Sequence, residues 1–306
     1  ALLEITGLIG KCLSAYHMGF VLGPRLNAAG RLGDPTTGVS LFVGKDYETA
    51  LEIAKKLDME NVTRQEIEDD ILNDIENLIK TEVDLDKDNV IVLSSDRWHS
   101  GIIGICASKV VEKYHKPTIL FSIEDDLAKG SARSIPTFDL YDGLSKCGDI
   151  FEKFGGHRQA AGILIKEKNI EEFKERINAV VDEVLVEEDF IEEVQIDCKV
   201  NPEDVTIETI EELNELEPFG MGNPTPKFAF TNGIINEIRQ IGKDNRHLKL
   251  QLSKNNMLID GIGFNFGQYG NILSNGDTIN VLVNLNINEY MGNVNPQMIV
   301  KEIMGI

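Results

Sequence analysis

The sequence predicts an α/β region built on a mixed sheet, joined to a long helix and followed by an all-β domain. Apolar residues recur at threes and fours among charged residues in 44–85, as in an amphipathic helix. Strand-like and helical runs alternate through 86–187, and short alternating runs separated by turn residues fill 188–306. A chain of 306 residues with 42% hydrophobic content is long enough for two domains and a connector.

The first region, 1–43, opens with an apolar segment and contains GPRLNAAGRLGDPTTG at 23–38. We interpret GPRLNAAGR as a loop because small residues separate its polar side chains. The helix of 44–85 follows, and Asn61, Val62 and Thr63 interrupt its apolar pattern weakly. The pattern is therefore compatible with one long helix or with two.

The second region, 86–187, reads as alternating strands and helices. Pro117 separates the first helix from the strand after it. The predicted elements are a strand at 89–93, a helix at 101–114, strands at 118–121 and 129–134, a short helix starting near Asp139, and a strand after KFGGHRQAAG leading to a helix at 170–186. This order predicts an α/β domain with a mixed sheet.

The third region, 188–306, predicts a strand at 194–200 and a helix at 207–216, followed by the turn EPFGMGNPTP. Five alternating runs follow, at 228–232, 248–252, 257–261, 277–287 and 297–303. Short strands separated by turn residues indicate a small barrel or sandwich, and an OB-type barrel is one candidate.

Composition limits the function classes. The net charge of −21 and pI near 4.6 argue against a polyanion partner, but the acids cluster: 166–197 holds twelve acids and four bases, whereas 130–162 holds four of each. A local anion site is therefore compatible with the sequence. No apolar run is long enough for a membrane span, and the start resembles no signal peptide. The four cysteines form no C-x-x-C pair, which favours a reducing cytoplasm and argues against zinc.

The segment KFGGHRQAAG, residues 153–162, is the strongest candidate for a site. Its pair Gly155–Gly156 can adopt positive φ and admit a ligand close to the backbone. We interpret the segment as a phosphate-handling loop that presents His157 and Arg158. A glycine turn with hydrogen bonds already satisfied is the alternative.

Ser131 and Arg133 in GSARS occupy alternate positions of a predicted strand, so both side chains point to one face. A guanidinium beside a hydroxyl suits a phosphate or carboxylate, or else makes a surface ion pair. His99 and Ser100 stand at the predicted helix start in WHSGIIG, where free amides favour an anion. The residues alone favour a simpler N-cap there, packed on Trp98.

Arg25, Asn27 and Arg31 of GPRLNAAGR can reach a ligand or cap backbone groups. No metal-ligand cluster and no Ser/His/Asp nucleophile pattern is evident in the sequence. The anion-binding candidates are therefore spread over four segments of the chain.

These segments carry a resemblance to a known family. GPRLNAAGR, WHSGIIGICASKV, KGSARSIP, KFGGHRQAAG and EPFGMGNPTPKF, in this order, resemble the RecJ family of single-strand-specific exonucleases, which are DHH-superfamily phosphoesterases. The resemblance covers nearly the whole chain. It implies the tail of a DHH domain at 1–43, a connecting helix at 44–85, a DHH-associated domain with its GGH motif at 86–187, and an OB-like nucleic-acid-binding domain at 188–306.

The resemblance also implies what this chain does not hold. The family's metal ligands, aspartates and an Asp-His-His motif, lie in an upstream domain, and no Asp-His-His occurs here. We therefore expect Mn²⁺ or Mg²⁺ to be bound outside this chain and the chain alone to be inactive. The whole protein is expected to hydrolyse single-stranded DNA from the 5′ end in DNA repair and recombination, with single-stranded-DNA-binding protein or a helicase as partners and no membrane.

By the same resemblance, Ser131 and Arg133 would hold the terminal phosphate or the first nucleotide opposite the metals. His157 would face the same cleft and contact the scissile phosphate or its neighbours without binding metal. Further candidates for phosphate contacts are Arg158, His99, Arg25, Asn27 and Arg31. In the barrel, the candidates are Phe219, Lys227, Phe228, Lys243, Arg246, His247 and Lys249. Two alternatives remain: a non-catalytic module that binds single strands or a protein partner, and a nanoRNase-like nucleotide phosphodiesterase.

Overall fold

The computed structural model describes residues 1–290 and 292–304, which form two compact units, Ala1–Glu192 and Glu193–Ile306. The first unit begins with four helices. They are α1 (Leu2–Ile5), α2 (Gly23–Leu32), α3 (Thr36–Val43) and α4 (Tyr47–Glu82), with a helical turn at His17–Leu22 before α2. Among all the residues that the structure describes, no helix is both long and apolar enough to cross a bilayer.

Helix α4 is one continuous helix of 36 residues. Asp46 caps its N-terminus, accepting a hydrogen bond from the Thr49 amide at 2.8 Å. Asn61, which weakens the apolar pattern, is buried and accepts a hydrogen bond from Arg64 at 3.1 Å, while Arg64 also pairs with Glu68. These polar side chains therefore bond to one another along the helix, which continues without a break.

The segment GPRLNAAGR is helical, so the prediction of a loop was wrong. Pro24 occupies the first turn of α2, where its missing N–H costs nothing, and Leu26, Ala28 and Ala29 are good helix formers. Ala28 and Ala29 are fully buried. Small residues here serve close packing of the helix rather than loop flexibility.

The rest of the first unit is a mixed sheet, as predicted, and it carries helices on both faces. Its elements are β1 (Ile91–Ser95), α5 (Ile103–Tyr114), β2 (Thr118–Glu124), β3 (Leu127–Arg133), α6 (Leu140–Ser145), β4 (Phe151–His157), β5 (Ala160–Lys166) and α7 (Ile170–Val184). The strand order is β1-β2-β3-β5-β4, and only the β1–β2 pair is parallel. Residues of α6 and α7 fill one face of the sheet, and residues of α4 and α5 pack on the other.

The segment 153–162 forms a β-hairpin instead of the predicted loop. Gly155 and Gly156 are extended residues of β4, and neither adopts positive φ. The chain reverses at Arg158–Gln159, between the paired residues His157 and Ala160. The glycines therefore belong to the sheet surface rather than to a flexible loop.

The second unit is a closed five-stranded barrel of OB topology, which confirms the predicted OB-like domain. Its elements are β6 (Cys198–Lys199), α8 (Ile207–Asn214), β7 (Phe228–Ile241), β8 (His247–Lys254), β9 (Met257–Gly263), β10 (Thr278–Tyr290) and β11 (Asn293–Met304). Pairing of β10 with β7 closes the order β7-β8-β9-β11-β10, and β6 adds to β7. The strand predicted at 194–200 is thus limited to Cys198–Lys199.

Candidate nucleic-acid interface

The face of the first unit's sheet that carries α5 is uncovered over β5 and β4. Strand pairing places two rows of side chains on it, because directly paired residues share a face. The rows are Arg133–Ala160–His157 and Ser131–Gly162–Gly155. Gly155, His157 and Gly162 are all exposed to solvent.

The glycines of this face have no packing role in the structure. A Cβ placed on Gly155 or Gly162 would meet no atom within 4 Å. Glycine weakens a strand and commonly marks a place where another molecule approaches the backbone. The Gly155–Gly162 pair, in the row next to that of Arg133 and His157, therefore leaves the backbone open to close approach by another molecule.

The Arg133 guanidinium is held in a fixed orientation. Its Nε donates to Ser108 Oγ at 3.2 Å, and its Nη1 donates to Ser131 Oγ at 3.2 Å and to the Ala132 carbonyl at 2.8 Å. Within residues 1–290 and 292–304, no acceptor lies within hydrogen-bond distance of Arg133 Nη2, and no carboxylate pairs with the guanidinium. Two N–H donors on a fixed, half-buried guanidinium remain free for an anion.

A second guanidinium lies close by. Arg31 of α2 donates from Nη1 to the Gly101 carbonyl at 3.2 Å. Burial, and then the charge of Arg31, lower the pKa of the Arg133 guanidinium from its usual value, although arginine stays protonated at neutral pH. Two like charges without a carboxylate repel each other, and a bound anion would relieve that repulsion.

Glycines of the segment before and at the start of α5 make this approach possible. A Cβ on Gly104 would lie 2.9 Å from Ser131 Oγ and 3.0 Å from Arg133 Nη2. A Cβ on Gly101 would collide with the Arg31 carbonyl oxygen. Sequence reasoning missed Gly104 and Ser108. Their four-residue spacing, which puts two small residues on one helix face, is the signal that could have indicated them.

His157 is exposed on the same face, and its Nδ1 accepts a hydrogen bond from the Gln159 amide at 3.4 Å. In the neutral ring this assigns the proton to Nε2, which can donate to an anion.

His99 lies beside Gly101, whose amide donates to His99 Nδ1 at 3.1 Å. Helix α5 begins at Ile103 with Ile102 as N-cap, so the prediction that His99 and Ser100 start the helix was wrong. Instead, His99 and Ser100 lie in a turn before the helix, in which the His99 carbonyl accepts hydrogen bonds from the Ile102 and Ile103 amides.

The other predicted residues lie elsewhere. Arg25 pairs with Asp58 of α4 at 2.7 Å and donates to the Val21 carbonyl at 2.7 Å. Asn27 is exposed on α2, one turn before Arg31 and on the same side of the helix. Arg158 donates to the Pro136 carbonyl at 3.1 Å, in the segment leading to α6. The structure thus brings Ser131, Arg133 and Arg31 together, places His99 beside Gly101, which Arg31 also contacts, and leaves Arg25 and Arg158 with other partners.

The barrel of the second unit carries its own cationic surface at the β7–β8 turn. Lys243 and Arg246 are exposed in that turn, and His247 and Lys249 follow on β8. The exposed Phe264 ring lies edge-on to His247, with the centroids 5.5 Å apart. Strands 2 and 3 of an OB barrel and the loop between strands 1 and 2 commonly bind oligonucleotides, and β8, β9 and this turn correspond to them.

The remaining barrel candidates differ in exposure. Phe228 is 6% exposed and belongs to the barrel core. Phe219 lines a groove of about 230 Å³ beside α8, and the Lys227 amide donates to Asp197 at 2.8 Å. Phe228 therefore serves core packing, whereas Phe219 and Lys227 are partly exposed.

The side chains present do not fit a metal site. Within the part of the chain that the structure describes, no three His, Cys, Asp or Glu side chains converge as metal ligands would. The guanidinium, hydroxyl and imidazole groups of the sheet face are candidates for anion binding.

Comparison with known proteins identifies both units. Residues 87–183 match the DHHA1 domain family, and residues 196–302 match the RecJ OB domain family. The single-stranded-DNA-specific exonuclease RecJ of Bacillus subtilis is 36% identical over 287 residues, which cover 93% of this chain and 36% of that protein. The RecJ of Escherichia coli is 34% identical over 317 residues, which cover 100% of this chain and 54% of that protein.

Solved structures give the same relationship. The crystal structure of RecJ from Thermus thermophilus in complex with Mg²⁺ matches 99% of this chain and 45% of its own, with a TM-score of 0.84 and 27% identity. The Mn²⁺ complex from the same organism matches with a TM-score of 0.85 and 26% identity, over 100% of this chain and 43% of that one. The chain spans between 36% and 54% of the length of the two curated relatives described above. Two matched domains in order, and similarity over nearly its whole length, show that the chain belongs to the RecJ family.

Proposed function

We propose that this chain is the substrate-binding part of a RecJ-like exonuclease that removes nucleotides from the 5′ end of single-stranded DNA in repair and recombination. The observation that carries the proposal is the Arg133 guanidinium, fixed by three hydrogen bonds with Nη2 free, on a bare sheet face. Curated relatives bear the name single-stranded-DNA-specific exonuclease, and the RecJ OB domain match supports single-strand binding.

Each group on the face has a proposed task. Arg133 and Ser131 hold the terminal phosphate, because a planar guanidinium fork beside a hydroxyl matches its oxygens. Arg31 adds a second positive charge, and His99 lies at the same edge. His157, aligned with Arg133 across Ala160, donates from Nε2 to a further phosphate oxygen. Asn27 contributes from the exposed side of α2, whereas Arg25 and Arg158 would have to leave their present partners.

The domain boundaries are part of the proposal. We assign 1–43 to the tail of a DHH domain, 44–85 to the connecting helix, 86–187 to the DHH-associated domain and 188–306 to the OB-like domain. The helix Tyr47–Glu82 and the family matches at 87–183 and 196–302 support these limits. We also propose a cytoplasmic location, supported by four free cysteines, and a single-stranded-DNA-binding protein or helicase as partner.

Hydrolysis requires groups that these residues do not supply. The solved RecJ neighbours are in complex with Mg²⁺ or Mn²⁺, which supports use of a divalent ion by the family. By the resemblance to the family, the ion would be held by a domain upstream of these residues. This chain would bind and orient the strand, and the bound ion would activate water for the displacement.

A non-catalytic binding module is the second candidate. The exposed cations Lys243 and Arg246 of the β7–β8 turn and the exposed Phe264 ring beside His247 favour it, since single strands bind to basic grooves with exposed aromatic rings. Lys249 pairs with Asp260 at 3.8 Å. Binding through the barrel would survive loss of Ser131 and Arg133, whereas binding through the sheet face would not.

Fluorescence anisotropy in EDTA tests the proposal. We expect the chain to bind a short 5′-phosphorylated single strand at least about tenfold more tightly than a blunt duplex of the same sequence, with affinity falling as salt rises. The chain with Mn²⁺ or Mg²⁺ should leave the strand intact. Equal affinity for both ligands would contradict the single-strand proposal, and hydrolysis by the chain alone would contradict the assignment of the metal site.

A further inference from the structure

A third row of side chains crosses the open sheet face beyond the two rows already described. Strand pairing aligns Lys129 of β3 with Leu164 of β5, and Leu164 with Lys153 of β4. Lys129 shares the face of Ser131 and Arg133, and Lys153 shares that of Gly155 and His157, because alternate residues of a strand point the same way. The row therefore places two ammonium groups on the same surface as the proposed phosphate site.

These two lysines differ from their neighbour on the hairpin. Lys166 pairs with Glu152 at 3.4 Å, whereas no carboxylate of residues 1–290 or 292–304 lies within ion-pair distance of Lys129 or Lys153. Both are exposed, in a chain whose net charge is −21. Between them Leu164 is half-buried and offers an apolar surface. Two unpaired cations flanking an apolar floor suit a sugar-phosphate backbone.

The spacing indicates how this row relates to Arg133. Lys129 precedes Arg133 by four strand residues, and Lys153 precedes His157 by four, which corresponds to about 13 Å along each strand. A single nucleotide held at Arg133 cannot bring its own phosphate to both places. A ligand that uses the lysine row must therefore be longer.

We propose that Lys129 and Lys153 form a second phosphate subsite, which binds phosphates further along the strand whose end lies at Arg133. The Gly155–Gly162 floor then connects the two subsites. This inference rests on the proposed function, and it makes the sheet face a track for several nucleotides rather than a pocket for one.

The test is a Lys129→Ala/Lys153→Ala variant of the 306-residue chain, measured by anisotropy against a short single strand over a range of salt. We expect affinity at low salt to fall about fivefold, the effect of two exposed ion pairs. The slope of log affinity against log salt should decrease by about 1.4, or 0.7 for each lost phosphate contact. Competition by a 5′-phosphorylated dinucleotide should be unchanged, since it reaches only Arg133.

The matched control is Lys45→Ala/Lys168→Ala, which removes the same charge from exposed lysines that are not part of this row. If the control lowers the salt slope equally, the effect is one of net charge and the inference is wrong. If Arg133→Ala weakens binding while the Lys129/Lys153 variant does not, the second subsite is excluded and the proposed function stands. If the unchanged chain binds no single strand, the second subsite and the proposed function are both wrong. Equal unfolding midpoints establish that the variants are folded.

Discussion

An Arg133→Ala variant is expected to bind a short single strand about 10- to 150-fold more weakly than the unchanged chain, because a hydrogen bond to a charged group contributes about 1.5–3 kcal/mol. The guanidinium is oriented by Ser108, Ser131 and the Ala132 carbonyl before any ligand arrives, so little ordering cost offsets the contact. The affinity of an Arg133→Lys variant should lie between those of the unchanged chain and Arg133→Ala, since lysine keeps the charge and loses the planar fork. Anisotropy in EDTA measures all three affinities.

Arg176→Ala is the control for that experiment. Arg176 pairs with Asp149 at 2.6 Å and Glu172 at 3.3 Å on the α7 side of the sheet, away from the open face. Its loss also removes one guanidinium, but binding should not change. An Arg133→Ala chain that binds as tightly as the unchanged chain would contradict the proposed site, and so would an equal loss on removing Arg176.

The two adjacent glycines of the hairpin are expected to respond oppositely to alanine. A Cβ on Gly156 would lie 2.5 Å from Ala161 Cα and closer still to the Ala160 carbonyl oxygen, and backbone atoms cannot move aside. We expect Gly156→Ala to lower the free energy of unfolding by about 1–3 kcal/mol, the usual cost of overpacking. Urea denaturation followed by circular dichroism measures it.

Gly155→Ala should leave stability unchanged or raise it by about 0.5–1 kcal/mol, because its Cβ meets nothing and alanine costs less entropy to order. The same methyl group enters the space above the sheet, so single-strand affinity should fall. Gly162→Ala, directly across the pair, should behave like Gly155→Ala. A Gly155→Ala chain that unfolds at a lower urea concentration than the unchanged chain would indicate a structural role for Gly155. One that binds the single strand with unchanged affinity would show that no ligand approaches the Gly155–Gly162 pair.

The sequence predicted the parts of the fold that depend on local pattern. The spacing of apolar residues indicated helix α4, and the alternating runs after Phe228 indicated the strands of the barrel, although β7 continues to Ile241. Ser131 and Arg133 lie on one strand face, as the two-residue period requires, and their side chains are hydrogen-bonded to each other.

Features set by distant packing could not be predicted in this way. GPRLNAAGR has the composition of a loop, yet Ala28 and Ala29 are small because they are fully buried. The glycines of 153–162 suggested positive φ, whereas pairing of Gly155 with Gly162 makes them strand residues. The approach of Arg31 to Arg133 depends on Gly101 and Gly104, which are far from both in sequence and admit them by lacking a side chain.

The central claim is that Arg133 holds the terminal phosphate of a single strand, and a double cycle tests it most directly. Affinities of the unchanged chain and of Arg133→Ala are measured for one oligonucleotide with a 5′-phosphate and with a 5′-hydroxyl. If the phosphate and the guanidinium are in contact, removing both costs less than the sum of the two single losses, with a coupling of about 1.5–3 kcal/mol. Additive losses, with coupling near zero, would contradict the contact.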